Sequence, residues 1–212
     1  MLIIMSIIYI ILLLILAKSA RTKFYLYAKT AASVFCAILA FVGAMKRGAT
    51  VMYAYFLPGL FGFLVGDIAL AFKTKKSLKA GICAFTIGDL FLLWFFSRYR
   101  AFSLYELLAG LALLGIVYLI DHKKIISFPG IRHLSFIYAF VEGMAVMKSF
   151  LVYQFVPSQC FLMMALGMLF YLISDAILMV YKFRIKNIVV GAIALTLYYG
   201  GLYLLTSSFF FI

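Results

Sequence analysis

FYLISDAILMVYKF, residues 170–183, decides the reading of this chain, because it sets a bare carboxylate, Asp175, inside an apolar run. A carboxylate in hydrocarbon is costly enough to mark a functional position. Much earlier, residues 61–73 read FGFLVGDIALAFK, with Asp67 standing where Asp175 stands. Both motifs run small residue, Asp, two apolar residues, Leu.

Around these motifs the chain is 68% hydrophobic and only 12% charged, with a mean hydropathy of +1.19, more apolar than a water-soluble core requires. Runs long enough to cross about 30 Å of hydrocarbon, roughly 20 residues each, recur along the whole sequence. The expected fold class is an all-α membrane protein, a single polytopic membrane domain over residues 1–212. Eight spans are predicted: Leu2 to Ala17, Phe24 to Met45, Met52 to Phe72, Leu78 to Phe96, Phe102 to Ile120, Leu134 to Tyr153, Pro157 to Tyr181 and Ile188 to Ser207. The first has no basic residue before its apolar core and no small-x-small cleavage site, so it reads as a retained span. Lys29 lies inside the second and is expected to snorkel to the interface.

The net charge of +13 does not point to nucleic acid, because the cations lie in short connections between apolar runs. Lys18, Arg21, Lys23 and Lys29, then Lys73, Lys75, Lys76 and Lys79, then Lys123, Lys124 and Arg132, then Lys182, Arg184 and Lys186 put fourteen of the nineteen in odd connections. Lys46, Arg47, Arg98, Arg100 and Lys148 fall in even ones. That bias places odd connections in the cytoplasm and both termini outside it. The third and seventh spans then run parallel, ending at Lys73 and Lys182, six and seven residues beyond the two aspartates. At 1.5 Å per residue both carboxylates lie about 9 to 10 Å below the cytoplasmic boundary, at a depth where they can share one cavity.

Motifs four spans apart suggest two parallel four-helix halves related by an axis along the membrane normal. A third near-copy, FTIGDLFLL, carries Asp89 in the fourth span, and Glu142 lies near mid-depth in the sixth. Four intramembrane carboxyls call for a polar interior. Glu142 can pair with Lys148 in the outer half, while Glu106 and Asp121, near span ends, are expected to be solvated. Ser174 and Gly66, just before the aspartates, read as packing residues. Cys36, Cys83 and Cys160 are isolated and form no CxxC pair, and His122 with His133 cannot supply a three-histidine zinc site, so no metal is expected.

The chain resembles the bacterial YhhN and vertebrate lysoplasmalogenase family of eight-span membrane proteins. The resemblance runs through Lys29-Thr30, GDIAL at Asp67, Gly81 with Phe85, Tyr138 with Met144, SDAIL at Asp175, and Tyr198-Tyr199. It implies hydrolysis of the vinyl ether bond of lysoplasmalogens to a fatty aldehyde and a glycerophospho-alcohol, with Asp67 and Asp175 as the catalytic pair and no cofactor. Asp89, Lys29, Tyr198 and Tyr199 are the expected supporting residues, a lysophospholipid the substrate, and the bacterial inner membrane the location. The chain departs from the family where it has Asp89 in place of a common His, and where it lacks a Gln after the paired tyrosines, its only Gln residues being Gln154 and Gln159.

The chemistry stands without the family. Vinyl ether hydrolysis needs an acid to protonate carbon, a negative field for the oxocarbenium-like cation, and water. Two carboxyls in one low-dielectric site hold a proton between them and supply these roles as a unit. Lys29, Lys73, Lys182 and Arg184 offer the phosphate cations at the rim, although loop cations serve topology in any case. Two other readings use the same residues. One is a buried hydrogen-bonding knot that fixes helix packing, and the other a transporter or lipid-binding protein whose acids form a proton or substrate site.

Overall fold

The computed structural model describes residues 1–19, 22–72 and 74–212. These form eight α-helices: α1 Leu2–Ser19, α2 Tyr25–Arg47, α3 Thr50–Ala71, α4 Lys75–Ser97, α5 Leu104–His122, α6 Arg132–Phe155, α7 Gln159–Phe183 and α8 Ile188–Ser207, followed by a 3₁₀ turn, Ser208–Phe211. All eight are long and apolar enough to cross a membrane. Seven of them extend two residues or more beyond the expected apolar runs, and local caps mark several of the helix ends. Thr74 and Ser77 form a reciprocal capping box on α4 and Ser103 with Glu106 another on α5, while Ser158 caps α7 and Asn187 caps α8. Gly48, at φ 66°, closes α2 in the left-handed region that favours glycine.

Six helices close a ring, in the order α2, α3, α4, α6, α7, α8 and back to α2. The other two lie outside it, α1 against α2 and α8, and α5 against α6. The pairings repeat when each helix is exchanged for the one four places later: α1–α2 with α5–α6, α2–α3 with α6–α7, α3–α4 with α7–α8, and α4–α6 with α8–α2. The two expected four-helix halves are therefore present as a packing repeat.

Glycine contacts set the register of the repeat. A Cβ added to Gly88 of α4 would sit 3.1 Å from the Gly59 carbonyl oxygen of α3, and one added to Gly201 of α8 would sit 2.6 Å from that of Gly167 in α7. Small residues let backbones approach where lipid supplies no hydrophobic drive between helices. Gly59, Phe63 and Asp67 thus correspond to Gly167, Tyr171 and Asp175, and Phe85 and Gly88 correspond to Tyr198 and Gly201.

The ring is filled at the end where α4 and α6 finish. Phe56, Phe95, Phe96, Phe161 and Phe209 are buried there, with Phe56 packed on Phe95 and Phe209 at 5.2 Å between centroids. The C-terminal 3₁₀ turn supplies Phe209, and Arg47 Nε anchors that turn by donating to the Phe210 carbonyl at 2.9 Å.

Three charged residues differ from expectation. Glu106 is fully buried, because Lys148 Nζ lies 3.0 Å and Arg100 3.1 Å from its Oε1 and Ser103 caps the same carboxylate. Lys148 therefore pairs with Glu106 and not Glu142, tying the start of α5 to α6. Asp121 is also buried, 2.6 Å from Arg132 Nε, and accepts from the Phe128 amide.

Candidate functional site

Each ring helix turns polar residues inward at the opposite end from the phenylalanine plug. On α2, Lys29 and Ser33 are four residues apart and so share a face. Lys29 does not snorkel: it is 5% exposed, with Nζ 3.0 Å from Asp67 Oδ1. Asp67 Oδ2 accepts from Ser33 Oγ at 2.5 Å and from the Tyr198 hydroxyl at 2.8 Å. Behind this knot the Tyr199 hydroxyl donates to the Lys29 carbonyl at 3.3 Å, and Tyr9 of α1 donates to the Tyr199 carbonyl at 2.8 Å. Of the expected tyrosine pair, Tyr198 reaches the carboxylate and Tyr199 braces the lysine's helix.

Asp175 has different company. Its Oδ2 accepts a short hydrogen bond from Tyr138 of α6, whose hydroxyl is also hydrogen-bonded to that of Tyr171 at 2.8 Å. Between the two aspartates stands a layer of rings, with Tyr171 5.8 Å from Tyr198 and 5.0 Å from Phe63, and Phe85 6.1 Å from Tyr198. Asp67 and Asp175 remain within electrostatic reach of each other, but hydrogen bonding does not join them directly.

The remaining acids lie on the Asp175 side. Asp89 of α4 is completely buried and neither carboxyl oxygen has a hydrogen-bond partner among the described residues. Glu142 of α6, one turn beyond Tyr138, is 3% exposed, and its Oε1 is likewise unpartnered. Asp89, Glu142 and Asp175 lie within electrostatic reach of one another. Asp67 is compensated by a cation and two hydroxyls, whereas three carboxyls on the other side share one tyrosine hydrogen bond among the described residues.

A groove of about 200 Å³ opens on that side. Its polar lining is Tyr138, Glu142, Asp175, Lys182 and Ser135, and its walls are aliphatic residues of α4, α5 and α7. Asp67 and Asp89 do not line it, so the shared cavity expected for the two aspartates is a groove at Asp175 with Asp67 behind the ring layer. Arg184 is exposed beyond the groove, and Lys73 and Arg21 lie outside the described residues.

Sequence reasoning missed Ser33, Tyr171 and the site role of Glu142. Their signal is the repeat itself: Lys29 on α2 and Tyr138 on α6 each contact the aspartate of the following helix, and Ser33 and Glu142 come four residues later on the same two helices. The chemical types differ, so no shared motif marks the correspondence.

The fold and site together define a multi-pass integral membrane protein with a buried acid cluster at one end of a helical ring. The chain matches the model of the YhhN family over residues 24–209 and belongs to that family. The match spans every ring helix and leaves α1 outside. Neither the curated proteins nor the solved structures gave a match.

Proposed function

We propose that this chain is a lipid hydrolase that cleaves the vinyl ether bond of lysoplasmalogens. Membership of the YhhN family supports the class. The observation that carries the reading is the groove that faces Asp175, where an acid, a tyrosine donor and a second carboxyl meet at the end of an aliphatic channel.

In this mechanism Asp175 is the catalytic acid and protonates the outer vinyl carbon. Three carboxyls that share a water-poor interior with one tyrosine among them hold protons rather than three full charges. The resulting oxocarbenium ion faces the carboxylate left on Asp175, the charge-to-charge stabilisation that a low-dielectric site makes strong. Water adds to the cation and returns a proton to the carboxylates, and the hemiacetal collapses to a fatty aldehyde and the glycerophospho-alcohol. One water is consumed and no net proton. Tyr138 orients Asp175. Asp67 acts as a positioning residue: its ion pair fixes Lys29, and its bond to Tyr198 fixes the ring layer on which Tyr171 rests. In this reading the groove end, where the more basic connections lie, faces the cytoplasm at the inner leaflet of a bacterial cell membrane.

The rival reading, a transporter with the acids as proton sites, requires a polar path to both faces. The phenylalanine plug occupies the route on one side, which favours the hydrolase.

The test is aldehyde release from a lysoplasmenyl lipid by the purified full chain in detergent, where no gradient exists. Wild type releases aldehyde, and Asp175→Asn, checked for folding, loses at least about a hundredfold, the scale of a general acid. No release from choline or ethanolamine lysolipids refutes the activity. Proton-coupled flux in proteoliposomes without product would establish the transporter instead.

A further inference from the structure

The two halves differ at one seam. Where α1 meets α8, the Ser6 and Tyr203 hydroxyls lie 2.5 Å apart and Tyr9 donates to the Tyr199 carbonyl, so the outer helix is pinned to the ring. The repeat-equivalent seam, between α4 and α5, has no hydrogen bond across it among the described residues. The groove runs there instead, with Ile82 of α4 facing Leu113 and Ile116 of α5. Ile116 lines the groove and is also 53% exposed on the outside of the bundle. A groove wall that is also lipid-facing surface makes the seam open sideways to the membrane.

We propose that the α4/α5 seam is the lateral entry and binding site for a single-chain glycerophospholipid of the surrounding membrane, with Lys182 holding its phosphate. The inference deepens the hydrolase reading and rests on it for the lipid class. Charge and shape select the occupant. Lys182 lines the groove and is in no ion pair among the described residues, leaving its ammonium for an anion. It stands seven residues, about 10 Å along the helix axis, from Asp175 toward the basic end. A phosphate held there lays the first chain carbons beside Asp175 and Tyr138, and the rest of the chain along Ile82 and Ile116. The groove, about 200 Å³ with aliphatic walls, seats an alkyl chain, and the hydrolase reading makes that lipid single-chain.

The closed seam at α1 supplies the control. The experiment measures binding of a radiolabelled saturated 1-O-alkyl lysophosphoethanolamine to the full chain in nanodiscs. That lipid has no double bond to protonate, so it reports binding apart from chemistry. Wild type shows one saturable site. Ile116→Trp weakens it at least tenfold, and Ile11→Trp, on the exposed face of α1, leaves it unchanged. Lys182→Gln weakens the phospholipid tenfold and leaves 1-O-alkylglycerol, which lacks phosphate, as in wild type. If Ile116→Trp does not fold, the Lys182 comparison decides alone. No saturable binding to wild type, wild-type binding by folded Ile116→Trp, or equal losses for both ligands in Lys182→Gln overturns the proposal. Intact binding without aldehyde from the vinyl ether lipid refutes the hydrolase and leaves the seam standing. Aldehyde release at the wild-type rate by Ile116→Trp does the reverse.

Discussion

Lys29→Met separates the ion pair at Asp67 from every other feature of the bundle. Lys29 and Asp67 are 5% and 1% exposed, and the ammonium is the one cation in contact with that carboxylate among the described residues. Methionine keeps the length and apolar stem of the side chain, so the substitution removes a charge and little volume. The bonds from Ser33 and Tyr198 already exist in the wild type and cannot offset the loss. Removing one partner of a buried pair costs about 3–5 kcal/mol. At about 2–4 °C per kcal/mol for a chain of this size, Tm falls by roughly 6–20 °C. The double variant Lys29→Met/Asp67→Asn removes the stranded charge as well and recovers more than half of the loss. Thermal unfolding in mild detergent, followed through Trp94, the only tryptophan, reads both. A fall below about 2 °C in the single variant, or a double variant that is simply additive, a failure of the coupling that contacting residues show, would refute the account of Asp67 as an ion-paired positioning residue.

Three further predictions concern packing, the unpartnered acid and the ion pair at Glu106. Gly201→Val drives a Cβ to 2.6 Å from the Gly167 carbonyl oxygen, whereas a Cβ at Gly200 comes no nearer than 3.8 Å to any other group; the first lowers stability by about 1–3 kcal/mol and Gly200→Val does not, by the same thermal assay. Asp89→Asn breaks no hydrogen bond, since neither oxygen makes one, so its Tm stays within about 2 °C of wild type. Lys148→Met, by contrast, removes one of the two cations on buried Glu106 and lowers Tm by less than Lys29→Met does, because Arg100 still holds the carboxylate.

The eight spans were legible because a membrane helix must satisfy its backbone internally and clothe itself in apolar side chains, which leaves a one-dimensional record. The last span was read to the residue, as Ile188–Ser207, and the others to within a turn. The two Asp motifs were equally legible, since each writes a small residue, Asp, two apolar residues and Leu within one apolar run. Which side chains face each other is not written within one run. Lys29 looked like an interfacial lysine because nothing local shows that α3 brings Asp67 to it. Lys148 and Glu142 lie on one helix, and sequence proximity suggested a pair that the neighbouring helix α5 pre-empts with Glu106.

The sequence alone determined the solvent of this protein and the number of its spans, because those depend on composition and periodicity along one helix. Only the tertiary structure decided that the acids are unequal. Ring closure of α2, α3 and α8 encloses Asp67 with a cation and two hydroxyls, and the open seam beside α5 leaves Asp175 facing a groove. Azimuth around the ring and gaps between helices come from packing many spans at once, so two nearly identical motifs meet two different environments.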